Sequence, residues 1–503
     1  MKFIQLLLIA SLLSIATLAQ NQPVKPISPI SPLSGDTRLP DVQDVAEAPK
    51  SESASVRLNT KSGEKTWTQS SNGTTFKLES KGKIELSAND KDIVSISDGG
   101  YLTISKTVFG GRHRVDMRQE GSGLKKRYFQ GSKEKPWEPD GRAWLAEILP
   151  DLVLTNTLGA ESRVERFYKQ GGATAVLKGI DELKSDYVRQ YYGDLLLKYP
   201  LNDQQTTEVF QWLSKSITSD YYLATLLNGN LEKGLKNQTT SLAFIKAING
   251  IASDFYRASV LQEIIKKGAS AKIDLKSFLH ITGEISSDFY KASVLEELAR
   301  FDGLSAYQAE YFDISTTINS DFYRAAALNK GFENIQLTNI GIYNGLKSWS
   351  GMNSDFYQQE VLIKLLKKHR LTAEAQKIVL TPIGARMSSD LYKQDVLRTF
   401  ASTQKLTEEN FTLWLNAAAT VNSDFYMAAT LNSFQAADLS DTQLAGIFNV
   451  TAKMSSDFYK AEVLSKFAKS LPANGTTART AFVAAAKTMS STHYYGQVMR
   501  LID

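Results

Sequence analysis

One pattern constrains this chain more than any other. A Ser-Asp pair followed by an aromatic residue recurs at Asp186, Asp220, Asp254, Asp288, Asp321, Asp355, Asp424 and Asp457, and Asp390 belongs to the series with Leu391 in the aromatic place. Successive aspartates stand 34, 34, 34, 33, 34, 35, 34 and 33 residues apart, and a degenerate tenth copy follows at Ser491-Thr492-His493-Tyr494-Tyr495. A period near 34 residues without strand-type alternation predicts one helical hairpin per copy, stacked side by side as an α-solenoid. Val294-Leu295 supplies an apolar face at helical spacing, and the same face recurs as Val260-Leu261, Val361-Leu362, Val396-Leu397 and Val463-Leu464. Thr338, Thr407 and Ser440 precede the first helices of their copies as N-caps, with Gln443 completing a capping box.

The recurring Ser-Asp predicts the start of the second helix. Either side chain can accept from free backbone N–H groups there, and a carboxylate favours the positive end of the helix dipole. The nine aspartates are therefore structural repeat caps and contacts between copies in this reading. A row of metal sites needs several oxygens per ion, and each copy offers one conspicuous Asp. Arg189, Arg257, Lys291, Arg324, Lys393 and Lys460 stand three residues after their aspartates and are placed to pair with them. The aromatic pair after each Asp is expected to pack between copies as core.

Residues 53–140 read differently. Apolar and polar residues alternate through Phe76–Glu79, Lys83–Leu86, Tyr101–Ile104 and Val115–Arg118, with Gly- and Asn-rich turns between. Period two predicts an antiparallel β-meander with one wet face, closed as a small sandwich or half-barrel. Arg112, Arg114, Lys125, Lys126 and Arg127 lie near two of its turns and form a candidate patch for an anionic partner; edge protection by charge explains them equally. Residues 141–200 read as a helical bridge and first hairpin, with Trp144, Leu145, Ile148 and Leu149 at helical spacing up to Pro150. Residues 201–503 are the repeat array. The fold class is thus α+β and multidomain.

The first residues read as a signal peptide. Lys2 precedes an uncharged apolar run, and Thr17 and Ala19 predict cleavage after Ala19. Residues 20–52 carry Pro23, Pro26, Pro29, Pro32 and Pro40 and read as an extended linker. The expected location is periplasmic or secreted, with no membrane span after cleavage. The chain has no Cys, and 58 basic against 53 acidic residues gives a surplus too small to argue for nucleic acid. His113, His280, His369 and His493 are far apart, and no His-Glu-x-x-His, phosphate loop or nucleophile elbow occurs. The sequence therefore assigns no catalytic residue, metal ligand or cofactor.

The Ser-Asp-aromatic-Tyr-x-Ala-x-Val-Leu stretches, such as Ser253–Leu261 and Ser456–Leu464, resemble those of bacterial extracytoplasmic proteins with HEAT-like helical repeats. Similar segments stand beside membrane metallopeptidases of the β-lactam-sensor type. Ile93–Ile96, Gly99–Leu102 and Ala143–Leu145 are also similar to that group. The resemblance implies the repeat fold and brings no activity. The expected function is a non-catalytic scaffold that engages protein or envelope polymer along the array. The alternatives are a glycan or cell-wall hydrolase with a carboxylate pair at the domain junction, and a sensory protein whose β unit takes a small ligand.

Overall fold

The computed structural model describes residues 55–61, 64–121, 123–267, 273–435, 438–471 and 476–502. The signal peptide and proline-rich linker lie outside the described residues.

Nine strands are described, all before residue 136: β1 Ser55–Lys61, β2 Glu64–Ser71, β3 Thr74–Lys81, β4 Ile84–Leu86, β5 Ile93–Ile96, β6 Tyr101–Val108, β7 Gly111–Glu120, β8 Gly123–Gln130 and β9 Lys133–Lys135. Seven form one antiparallel sheet in the order β1-β2-β3-β6-β7-β8-β9, and β4 and β5 form a separate hairpin. Asn72-Gly73 makes the β2–β3 turn, with φ of 46° and 72°, because both central positions need the left-handed region. Along the inner face Trp67, Leu78, Ile104, Val115 and Tyr128 stand opposite one another across five strands. All are buried.

Of the two closures expected, a sandwich of two large sheets is not formed. Helix α1 (Arg142–Thr155) lies on that face with Leu145, Ile148, Leu149 and Leu152, and β4 and β5 close the core with Ile84, Leu86, Ile93 and Ile96. Two-residue links join the neighbouring strands of the seven-stranded sheet, except where the β4–β5 hairpin intervenes between β3 and β6, and the cover for the inner face comes mainly from the helix. α1 also runs through Pro150, where the sequence predicted a break. The missing N–H costs one helical bond, and burial of the side chains on either side offsets it.

Ten helical hairpins follow among the described residues. The first pairs α2 (Ala160–Asp181), kinked at Gly171-Gly172, with α3 (Asp186–Leu197). The last pairs Thr477–Lys487 with Thr492–Met499. Every second helix from the first copy to the ninth begins with Ser at the N-cap and Asp as its first residue. The Val-Leu pairs are fully buried and join neighbouring copies into one continuous apolar core. The first helices carry the expected caps: Thr338 and Thr407 accept from the third helical N–H, and Ser440 and Gln443 form a capping box.

The β unit is docked on the first hairpin by charge as well as by apolar contact. Arg163 of α2 donates through Nε to Asp90 Oδ2 at 3.0 Å and through Nη1 to the Tyr192 hydroxyl at 2.6 Å. Arg166 donates to Asp90 Oδ1 at 2.6 Å and to the Ser87 carbonyl at 3.0 Å. Asp90 sits in the loop between β4 and β5 at φ of 57°. Its backbone conformation thus aims the carboxylate at α2.

A buried acid lies close by. Asp194 of α3 accepts at Oδ1 from Asn230 at 2.7 Å and at Oδ2 from Gln190. Neither partner is charged, and burial pushes its carboxyl up to about 6. The folded state therefore holds this proton more tightly than the unfolded chain. Stability falls as pH rises from about 4 to about 6, and the penalty is complete above that. Asp194→Asn is expected to raise the urea midpoint at pH 7.5, by the equivalent of on the order of 2 kcal/mol, and to change little at pH 4. Equal effects at the two pH values would refute this assignment.

Candidate binding surfaces

The aspartates do not cap their own helices. At the first helical position the side chain leans toward the N-terminus and outward, away from the N–H groups it would need to cap. Each carboxylate instead accepts from two consecutive backbone N–H groups of the next copy, those of the N-cap Ser and the residue before it. Asp321 Oδ2 accepts from Asn353 at 2.8 Å and Ser354 at 2.6 Å. Asp288 accepts from Asn319 and Ser320, Asp355 from Ser388 and Ser389, and Asp390 from Asn422 and Ser423. Asp186, Asp220, Asp254, Asp424 and Asp457 do the same. These N–H groups precede the helix and have no helical acceptor, so the carboxylate satisfies donors that would otherwise face solvent or nothing. The backbone N–H of Ser491 is the main cause that holds the Asp457 carboxyl below the usual carboxylate range. The Ser side chains contribute little: Ser287, Ser389 and Ser491 accept at a long 3.5 Å.

The cations three residues on form a second set of links. Arg189 pairs with Asp186 at 2.7 Å and Lys460 with Asp457 at 3.8 Å, as expected. Lys460 and most of the others also reach the end of the next copy's first helix. Lys393 donates to the Thr420 carbonyl at 3.0 Å, Lys460 to the Thr488 carbonyl at 3.1 Å, Arg324 to the Ser348 carbonyl at 3.4 Å and Arg257 to the Glu284 carbonyl at 3.3 Å. Lys291 reaches Thr317 Oγ1 at 2.8 Å. A cation at a helix C-terminus satisfies free carbonyls and the negative end of the dipole. Burial pulls Lys291 and Lys393 below the ordinary lysine value. Adjacent copies are thus joined by an anion on donors and a cation on acceptors, both directed at backbone.

The aromatic residues are half-buried rather than core. Where a Phe follows the Asp, it packs edge-on against the Tyr of the next copy, as in Phe255 on Tyr290, Phe289 on Tyr323, Phe322 on Tyr357 and Phe425 on Tyr459, with ring centres 5.7 to 6.1 Å apart. The outer ring stays accessible, with Phe289 at 41%, Phe425 at 54% and Phe458 at 52% exposure. The second position of a helix points out of the bundle, which is why Leu391 and His493 also fit there. The result is an aromatic edge along the array, interrupted at Leu391.

The candidate anion patch is divided by the sheet. Arg112, Arg114, Lys125 and Arg127 share the outer face, while Lys126 stands opposite Met117 on the inner face and donates to Asp92 at 2.7 Å. On the outer face Arg114 pairs with Asp116 at 3.1 Å, Lys125 with Glu120 at 3.1 Å and Arg127 with Glu134 at 2.6 Å. Arg112 is exposed beside the β7 turn. With its carboxylates so close, the patch presents little net charge.

A cavity of about 330 Å³ lies between the β unit and the first hairpin. Its apolar walls include Trp67, Leu78, Ile84 and Leu158, and its polar walls include Lys65, Asn156 and Glu161. Glu161 is the one carboxylate among its lining residues, and it accepts from the Tyr191 hydroxyl at 2.5 Å. A glycosidase needs two carboxylates facing across the bond to be cut, and this lining supplies one. The hydrolase alternative placed its site at this junction, but the residues that line the cavity were not legible, because Lys65 and Asn156 are 91 positions apart. Each histidine meets a local partner: His113 Nδ1 and Tyr128 at 2.7 Å, His280 and Glu284 at 3.3 Å, His369 and the Phe332 carbonyl at 2.9 Å, His493 and the Tyr494 ring. Among the described residues no group of three or more His, Asp or Glu could hold a metal, and no helix is long and apolar enough to cross a membrane.

No family model and no curated protein matches the chain. Among solved structures, a chain from "Computational Design of Self-Assembling Cyclic Protein Homooligomers" aligns with 12% identity over 68% of this chain and 92% of its own, with a TM-score of 0.09. A superposition that poor carries no argument about fold or function.

Proposed function

We propose that the protein is an exported, non-catalytic scaffold that holds a protein or envelope-polymer partner along the aromatic edge of its helical array. The observation that carries this reading is the half-exposed ring in copy after copy, at one place and one spacing. Exposed apolar patches of this kind are uncommon on a monomer's surface and mark contact sites. Repeat arrays offer extended surfaces suited to large partners. Export rests on the signal-like first residues.

The test is photo-crosslinking in the native envelope. A crosslinker placed at Phe425 is expected to capture a defined partner, and one placed at Glu409, on an exposed first-helix position, is not. The triple variant Phe289→Ser, Phe425→Ser, Phe458→Ser is expected to keep its melting temperature within a few degrees and to lose at least about tenfold in capture, since interface aromatics typically carry more than about 1 kcal/mol each. Equal capture from both positions would overturn the placement. Turnover of a glycan by the pure protein would overturn the non-catalytic reading.

A further inference from the structure

The geometry points to a binding site for a small organic anion, an apolar tail bearing a carboxylate or phosphate head, in the cavity between the β unit and the first hairpin. The inference is independent of the scaffold reading, since it concerns a different surface and a different size of ligand.

Size and lining come first. About 330 Å³ falls within the range of small-molecule sites. Trp67, Leu78, Ile84 and Leu158 give it an apolar floor, and each is otherwise buried. The walls are built from tight backbone. Gly82, at φ of 84°, would place a Cβ 2.3 Å from Ser97 Oγ, and Gly159, at φ of 64°, would place one 2.6 Å from Leu86. Both hold a φ that residues with a side chain rarely adopt, so glycine is favoured at these two lining positions.

The polar groups then define the ligand's head. The cavity's charged residues are not alike. Lys83 is matched by Glu85 at 3.3 Å and Glu165 at 3.8 Å, and Glu161 is occupied by Tyr191. Lys65 has no carboxylate within pairing distance among the described residues; its ammonium lies 5.3 Å from the centre of the Tyr191 ring. Asn156 is 4% exposed, and its Oδ1 accepts from the Leu158 N–H at 2.8 Å. That bond fixes the amide and leaves Nδ2 with no partner. A buried donor left unpaired is costly. Both unmatched groups, the Lys65 ammonium and the Asn156 amide, are donors. The matching ligand group is an acceptor, and opposite an ammonium it is an anionic oxygen.

The experiment titrates the full chain with decanoate, octyl phosphate and uncharged decanol, by calorimetry and by Trp fluorescence. At least one of the two anions is expected to bind, and decanol to bind at least about tenfold more weakly. Whichever anion binds more tightly identifies the head group. Lys65→Met is expected to weaken the anion by about tenfold and to leave decanol unchanged. Asn156→Asp keeps the acceptor for Leu158 and replaces the free donor with a repelling charge, so it is expected to weaken the anion as well. Melting curves show whether each variant is folded. Failure of both anions to bind, equal binding of decanol, or unchanged anion binding in folded Lys65→Met would overturn the site. None of these results bears on partner capture at the aromatic edge.

Discussion

Replacing Asp90 with Asn is expected to lower the free energy of unfolding by about 3 kcal/mol, because removing one partner of a buried ion pair strands the other. Asn tolerates the left-handed conformation that this position holds at φ of 57°. The loss therefore reports charge and not backbone strain. The stranded groups are Arg163, whose side chain is 3% exposed, and Arg166, at 17%. The measurement is urea denaturation at neutral pH, with a double-mutant cycle on Arg163→Met. The two substitutions are expected to be strongly non-additive, since the second removes the charge that the first leaves buried. Protease cleavage near residue 140 is expected to speed up in Asp90→Asn, as the sheet loosens from α2. A change under about 1 kcal/mol, the level of an exposed ion pair, would mean that the dock is carried by the apolar contacts alone.

Asp321→Ala is expected to cost about 1.5 to 3 kcal/mol, the range for hydrogen bonds to a charged acceptor. It deprives Asn353 and Ser354 of their acceptor and leaves Arg324 with one fewer counter-charge nearby. Stability in a repeat array is a sum of copy and neighbour terms, so a loss at one interface also weakens the coupling across it. The unfolding transition is expected to broaden, with a lower m-value, as the array divides near the fifth copy. Asp321→Asn keeps an acceptor and is expected to lose less. A melting temperature unchanged in Asp321→Ala would refute the staple. A calcium-dependent melting shift that the variant abolishes would convert the aspartates into metal ligands.

The sequence made the repeat legible because its period and its apolar Val-Leu face are both one-dimensional patterns. It made the place of the aspartates legible too, at the head of each second helix. What it hid was their target. Backbone N–H groups carry no residue identity, so nothing in Asn353 or Ser354 announces that Asp321 is bound to them. The same blindness covers the cations, whose acceptors are carbonyls. The aromatic edge was misjudged for another reason: a ring was assumed to be buried. The presence of His493 at that place already argued for a position open to water. The division of the basic patch was available from parity alone, since Lys126 alternates with Lys125 and Arg127. The dock was not available, because Asp90 and Arg163 are brought together only by the path of the chain between them.

The links between copies run one way. Each aspartate serves the copy that follows it, and the tenth copy carries Thr492 in that place. Since the receiving partner is bare main chain, the fit does not depend on which copy comes next. Copies are therefore interchangeable parts, and recombination between them leaves a valid joint wherever it falls in register. A lineage can lengthen or shorten such an array by whole units without inventing a new interface, while the side chains on the outer edge drift toward whatever they touch.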